Sequence, residues 1–324
     1  MESVKPNTLM EAIRHYADAD AALSEVADSR WPKGVLCQHC GAEKPMFLKT
    51  RRIWKCSKCR KQFSIKTKSV FEDSAISLDK WLAVVWMVAN CKNGVSSYEI
   101  MRDLGVTQKT AWFMLHRIRL AMREKNTKKL GGADRVIEAD ETFVGGKVEF
   151  MHKRSRARVT QFNNWGKTPV LGLLERESRK VRAAVAPNRK RRHVHPNVTN
   201  NVELGSTLMT DDYIGYDGLP AEYKRELVNH LQQYVNGRVH VNGLENFWSL
   251  LKRALKGTYV SVDPCHLQAY VDEQVFRYNN RKHENGEKQT DFERFKLVLS
   301  QIVDKRLTYA ELIGKEGETL TVVD

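Results

Sequence analysis

The chain has 324 residues, room for two or three domains with cores of their own, and its 54 Lys plus Arg against 39 Asp plus Glu leave a formal charge of +15. A surplus of that size favours a polyanionic partner, because each cation placed near a phosphate releases condensed counterions. No apolar run reaches the ~18 residues of a membrane span, and the opening MESVKPNTLMEAIRHYADAD is too acidic and polar for a signal peptide, so a cytoplasmic protein with reduced thiols is expected.

Residues 1–30 read as a short helical segment. Cys37, Cys40, Cys56 and Cys59 follow as C-x2-C, fifteen residues, C-x2-C. Two close pairs at that spacing gather four thiolates round one tetrahedral zinc, as in a zinc ribbon, here expected over residues 31–75. The intervening GAEKPMFLKTRRIWK suits a hairpin, and Gly41 falls where a knuckle turns through an unusual backbone angle. With all four positions taken by protein, no place is left for a reacting water, so the zinc is expected to be structural. Arg51, Arg52, Lys55, Lys58, Arg60 and Lys61 make this module basic and suited to DNA backbone. Cys91 and Cys265 have no partner spacing and are expected as packed thiols.

Residues 76–126 carry helical periodicity. Leu78, Trp81, Leu82, Val85, Val88 and Ala89 share one face. GVSSYEIMRDLGVTQKTAWFMLHRIRLAM then reads helix, tight turn, helix, with Ser97 and Thr107 as N-caps and Gly105 at the end of the first helix. Ala111, Met114, Leu115, Ile118 and Met122 form the inner face of the second helix; Lys109, His116, Arg117, Arg119 and Arg123 form an outer, basic one. That is the pattern of a helix-turn-helix whose second helix enters the major groove, with Gln108, Lys109, Thr110 and Arg117 as candidate DNA contacts. KNTKKLGG, residues 125–132, is the expected linker.

Residues 133–285 change character. DRVIEADETFVGGK is strand-like from Arg135 to Val144, with Asp140 and Glu141 inside it. TPVLGLLER and KVRAAVAP are two further strands, STLMTDDYIGYDGL opens with a fourth that stops at Asp211 and Asp212, and RELVNH is a fifth. A helix after Gly243 closes the unit. Leu244, Phe247, Trp248, Leu251 and Leu255 make its buried face, and Asn242, Glu245, Ser249, Lys252 and Lys256 a polar stripe beside it. Three strands, then strand and helix in alternation, is an α/β order with an antiparallel first half, that of an RNase H-like fold. Converging carboxylates repel, and bound cations are the usual remedy. Two strand acids and one helix acid would make an oxygen-only site suited to two Mg2+ or Mn2+ ions. Alternation does not choose between Asp140 and Glu141, or between Asp211 and Asp212.

Two basic tracts, His152 to Arg158 and Asn188 to His195, read as flexible loops suited to DNA backbone. AYVDEQVFRYNNRKH is an amphipathic helix with Tyr270, Val271, Val275 and Tyr278 inward and Glu273 and Arg277 as an i, i+4 pair. Residues 286–324 are expected as a C-terminal helical tail.

Seven stretches together carry a family likeness: WPKGVLCQHCG, WKCSKCRKQFSIKTKSVFEDS, GVTQKTAWFMLHRIRLAM, EADETFVGGK, LMTDDYIGYDGL, HVNGLENFWSLLKRALKGTY and YVDEQVFRYNNR. From about Ala22 to about Glu293 the chain resembles DDE-type insertion-sequence transposases with an N-terminal zinc ribbon, the bacterial group related to the Merlin transposons. The resemblance implies an RNase H-like core whose metal-binding triad falls on Asp140, Asp211 and Glu245. Glu245, six residues, then Lys252 matches the E-x6-K/R signature of that class, which turns Lys252 and its neighbour Arg253 toward DNA phosphate. Some relatives carry asparagine at the third position; Asn242 lies one turn before Glu245, close enough to join the site, and His240 is within reach of it.

The implied activity is that of a transposase. It would bind the double-stranded ends of its element, cut them by metal-dependent hydrolysis and join the 3'-OH ends to target DNA. Its implied state is a homodimer or higher oligomer on DNA, in the bacterial cytoplasm and nucleoid. Two other readings share these residues: a DNA-binding regulator with a silent core, and a metal-dependent nuclease that does not join strands.

Overall fold

A computed structural model describes residues 5–124, 128–145, 167–227 and 241–315. They fall into two units: residues up to 123 together with those from 288 onward, and residues 124–287. Among the described residues no helix is long and apolar enough to cross a membrane.

The first unit begins with helices α1 (Leu9–Tyr16) and α2 (Ala19–Arg30), each started by a side-chain cap, Thr8 and Asp18. A three-stranded antiparallel sheet follows: β1 (Met46–Leu48), β2 (Ile53–Lys55) and β3 (Gln62–Ser64). Trp54 and Phe63 stack at its centre with Trp31 edge-on. Helix α3 (Leu78–Asn90) is more than one-sided: Val84 and Trp86 are buried along with the expected face, so it runs through the middle of the unit. Helices α4 (Ser97–Leu104) and α5 (Gln108–Met122) are joined by a short turn in which Gly105 takes the left-handed conformation (φ 63°) and Thr107 caps α5, both as expected. Helix α4 is capped one residue earlier than expected. Ser96 and Glu99 exchange hydrogen bonds in a capping box, which Ser97 has no acid at the right spacing to form.

Residues 288–315 of the C-terminal stretch belong to this unit. Helix α9 (Asp291–Ser300) buries Phe295, Val298 and Leu299. Phe295 stacks on Tyr16 and packs against Trp86, and Arg294 Nε donates to Asn90 Oδ1 at 2.8 Å. A last turn, α10 (Tyr309–Leu312), lays Tyr309 against Phe113 and Trp112 of α5.

The second unit holds a five-stranded mixed sheet in the order β10-β9-β5-β6-β7, formed by β5 (Val136–Val144), β6 (Thr168–Glu175), β7 (Val181–Val185), β9 (Thr207–Thr210) and β10 (Lys224–Leu227). β5, β6 and β7 are antiparallel neighbours, while β9 runs parallel to β5 and β10 parallel to β9. The expected fifth strand is described only to Leu227. Two residues of the expected linker, β4 (Leu130–Gly131), instead pair in parallel with β8 (Val202–Glu203). One sheet face is covered by α7 (Asn242–Ala254) and α8 (Leu267–Asn279) through Val170, Leu174, Leu244, Phe247, Trp248 and Val271. The other is covered by α6 (Arg191–Asn201) through Ile137, Ala139, Leu171, Val194 and Val198. The tract at 188–195, expected as a loop, is thus largely the first turns of α6, because Val194 and Val198 at i, i+4 give that segment a face to bury. Its companion at 152–158 lies outside the described residues. Neither solitary cysteine is buried: Cys91 is half-exposed and Cys265 exposed on a turn capped by Asp263.

Candidate active site and metal centres

Four sulfurs converge at one end of the ribbon. Cys37 and Cys59 Sγ are 3.7 Å apart, and Cys40 and Cys56 Sγ 3.6 Å. With Zn–S near 2.3 Å, the edge of a tetrahedral four-sulfur site is roughly 3.8 Å. The backbone is arranged for it: the His39 amide donates to Cys37 Sγ at 3.4 Å and the Cys59 amide to Cys56 Sγ at 3.5 Å. Each pair is followed by a left-handed residue, Gly41 and Arg60. The donor set and spacing fit one structural zinc with no open position. Purified protein should carry about one zinc per chain, and Cys56→Ser should lose it, as metal analysis can read; full retention would remove this site.

The second cluster is acidic. Asp140, Glu141 and Asp211 offer carboxylate oxygens within 4.8 Å of one another. The sheet register explains why. β5 pairs with parallel β9 through Glu138 opposite Met209, so two residues further on Asp140 meets Asp211 just past the end of β9. Asp211 is fixed there by its own turn: Oδ1 accepts from the Tyr213 amide at 3.1 Å, and its carbonyl accepts from Arg225 on β10 at 3.2 Å. Asp212 points into solvent and is not in the group.

Successive strand residues face opposite sides of a sheet. Glu138 and Asp140 face α7, where Asp140 Oδ2 accepts from Trp248 Nε1 at 2.9 Å. Room for that indole comes from Gly172, opposite Asp140 on β6: a Cβ there would lie 2.5 Å from the ring. Glu138, which sequence reasoning passed over, is buried and sets the start of α7. Its Oε2 accepts the Leu244 amide at 3.0 Å, its Oε1 the Arg176 guanidinium at 2.8 Å. Val241, the N-cap, offers no side-chain acceptor, so the strand supplies one. Gly243 permits this close approach, since a Cβ would meet Glu138 Oε2 at 2.7 Å.

Glu141 faces the other side. It accepts from Tyr216 Oη at 3.2 Å and from Arg189 at 3.1 Å. Glu245 is not in the carboxylate group; it stands exposed on α7 one turn before Trp248, in the expected stripe with Asn242, Ser249 and Lys252, and Arg253 is exposed beside it. His240 lies outside the described residues.

Burial pushes the Asp140 carboxyl up to about 6, against the hydrogen bonds from Trp248 and the Glu141 amide, and repulsion from Glu141 and Asp211 adds a smaller push. Burial and Asp211 raise Glu141 as well. Buried Tyr216, ringed by the three acids, is held far above the ordinary phenol range and stays a donor. Oxygen-only donors that resist sharing their negative charge suit a hard divalent cation. A carboxyl whose folded value exceeds its ordinary 3.8 favours the fold while protonated, an advantage complete near pH 4 and lost as pH rises through about 6. Asp140→Asn keeps an oxygen for Trp248 but cannot ionise. Without added divalent ions it should stabilise this unit at pH 7 by up to about 3 kcal/mol, and hardly at pH 4. Thermal melts at the two pH values check this; an equal gain at both would mean altered packing instead.

The expected DNA-reading helix is less open than its charge pattern implied. His116, Arg117 and Arg119 are buried. Arg117 Nη1 donates to the Glu72 carbonyl at 2.7 Å and Nε to the Leu307 carbonyl at 3.1 Å, so it ties the first unit together rather than facing outward. Exposure is left to the first turn of α5. Lys109 is exposed with its ammonium 4.2 Å from the Tyr309 ring centre, Gln108 donates to Ser97 Oγ at 3.0 Å, and Thr110 is bonded to the Thr107 cap.

A mixed sheet with converging acids, preceded by a four-cysteine ribbon, defines a class, and the comparisons agree with it. Residues 129–279 match the family described as ISXO2-like transposase domain, and residues 17–62 the one described as transposase zinc-ribbon domain. The chain belongs to the DDE-type insertion-sequence transposases with an N-terminal zinc ribbon. It is 27% identical over 259 residues to a Halobacterium salinarum protein named "Uncharacterized protein in transposable element ISH50", covering 76% of this chain and 86% of that one. It is 29% identical over 102 residues to an "Uncharacterized transposase-like protein" of Haemophilus influenzae, covering 31% of this chain and 82% of that one.

Proposed function

We propose that the protein binds the ends of its own insertion sequence, cuts them by metal-dependent hydrolysis and joins the freed 3'-OH ends to target DNA. The observation that carries this is the meeting of Asp140, midway along β5, with Asp211, just past the end of the adjacent parallel strand β9, beside a helix with an exposed polar stripe. The strand order, three antiparallel strands and then two parallel to the first, supports an RNase H-like core.

Asp140, Asp211 and Glu245 are the proposed ligands, with Asn242 next to them on the stripe. Facing supports Glu245 as the third: Asp140 and α7 share one side of the sheet, whereas Glu141 is committed to Tyr216 and Arg189 on the other. Two Mg2+ or Mn2+ ions held there would activate the attacking oxygen and stabilise the leaving one. The chain's own residues do the rest. Trp248 and Gly172 fix the Asp140 carboxylate, Arg225 and the Tyr213 amide fix Asp211, and Glu138 fixes the helix that carries Glu245. Lys252 and Arg253, further along α7, bind backbone phosphate. Joining two ends calls for at least a dimer on DNA, in the bacterial cytoplasm and nucleoid.

Sequence readout is assigned to the first turn of α5, because side chains at the start of a recognition helix reach base edges. Gln108→Ala or Lys109→Ala should cost about 1–3 kcal/mol on the cognate end and little on random DNA, measured by competition binding. Arg117→Ala should lower stability instead. The deciding experiment incubates the protein and Mg2+ with labelled duplexes of the DNA flanking its reading frame and a plasmid target. Labelled strand covalently joined to plasmid supports the proposal; cutting without joining would make the protein a nuclease.

A further inference from the structure

Arg189 precedes α6 and reaches the acidic cluster from the face opposite α7. Its Nη1 is 3.1 Å from Glu141 Oε1; the Glu141 side chain is 4% exposed and that of Arg189 46%. The guanidinium carbon sits 4.2 Å from the Tyr213 ring centre and 5.5 Å from that of Phe143. Tyr213 also holds the backbone: its hydroxyl donates to the Arg189 carbonyl at 2.9 Å, and its amide donates to Asp211. One tyrosine thus links Arg189 to one acid of the cluster, while Glu141 links it to another.

A counter-ion for Glu141 would need only charge, and a half-exposed ion pair is worth little. The arrangement supplies more than charge. One edge of the guanidinium is held by a carboxylate and one face by a ring, while the side chain remains half open to solvent. A guanidinium has five N–H donors in a rigid fork, the geometry that recognises phosphate. We propose that Arg189 grips a phosphate of the strand being cut, and that Glu141 is its positioning residue rather than a metal ligand. This rests on the transposase reading. It gives the two neighbouring acids of β5 separate tasks: Asp140 faces the metal ions, and Glu141 aims the arginine. It also separates a lysine from an arginine at this position, since an ammonium neutralises Glu141 but neither stacks on Tyr213 nor offers a fork.

The test uses the full-length chain and duplexes of the element's terminal repeat carrying one neutral methylphosphonate at each position round the cut. Arg189→Gln should slow single-turnover cleavage about 10–100-fold, and Arg189→Lys nearly as much. At one position the methylphosphonate should weaken wild-type binding and cleavage, yet change Arg189→Gln less than about twofold, because the contact is already gone. Without DNA, Mn2+ affinity read by electron paramagnetic resonance should stay within about threefold in Glu141→Gln and fall at least tenfold in Asp140→Asn. Additive losses at every methylphosphonate position, or a tenfold loss of Mn2+ affinity in Glu141→Gln, would overturn the assignment. A wild-type chain that binds these duplexes but cuts none would count against the transposase reading alone. In that case the binding and Mn2+ arms still decide the place of Arg189.

Discussion

Asp140→Ala, Asp211→Ala and Glu245→Ala should each abolish cleavage and strand transfer, by at least about a thousandfold, while leaving binding to the element's end intact. The two properties have separate physical sources. On the proposed reading, affinity for DNA comes mainly from cations, of which the chain has a surplus of 15, whereas the carboxylates only place divalent ions against one phosphate. Losing one acid removes a ligand and no DNA contact, and lowers the negative charge facing the backbone, so binding should hold or tighten. The variants should differ in the uncut protein. Asp140→Ala also strips the acceptor from Trp248 Nε1 and should lower the melting temperature without metal at pH 4, where no opposing charge is relieved in exchange, whereas Glu245 is exposed and its loss should not. Gel-shift, cleavage and melting measurements on the three variants and Asn242→Ala settle the ligand set. If Glu245→Ala cuts normally and Asn242→Ala is dead, the third ligand lies one helical turn earlier.

What could be read from the sequence was local. Four cysteines at fixed spacing, Thr107 and Gly105 bounding a turn, and alternating apolar strands are patterns in which partners lie a few residues apart. Depth was not legible. Periodicity places Arg117 on the side of α5 away from Met114 and Ile118, but whether that side meets solvent depends on Leu307, 190 residues onward, and on Glu72. An arginine that reads as a DNA contact is therefore a buried tie. Glu138 shows the same limit from the other direction. Nothing within β5 tells it from Asp140, two residues on and on the same face. What distinguishes them is α7, which brings the Leu244 amide to one and the Trp248 indole to the other. The two glycines that make these contacts possible, Gly172 and Gly243, carry no functional signal of their own; each matters for the atoms a Cβ would strike.

Arg277→Ala should be the most damaging single change to the second unit outside its sheet, at about 3–5 kcal/mol. Glu273 and Arg277 of α8 pair across one helical turn with side chains 0% and 6% exposed. Arg277 also donates to Gln274 Oε1 at 3.0 Å, and the Tyr259 hydroxyl donates to Glu273. Burial works against the guanidinium charge, but Glu273 and Tyr259 outweigh it and hold the arginine protonated. Removing the arginine strands a carboxylate where no water reaches it, a larger loss than the pair's own net contribution. For a unit of this size the drop in melting temperature should be roughly 6–20 °C. Replacing both partners by leucine should recover most of it, because two well-packed apolar side chains leave no charge to solvate. The effect should also reach the site. Tyr278 of α8 packs edge-on against Phe247 of α7 at 5.4 Å, next to Trp248, whose indole holds Asp140. A loosened α8 should therefore weaken Mn2+ binding before the sheet itself melts. A double variant as unstable as Arg277→Ala would place the loss in packing and not in the stranded charge, and Glu273 would then be an ordinary core position that happens to carry an acid.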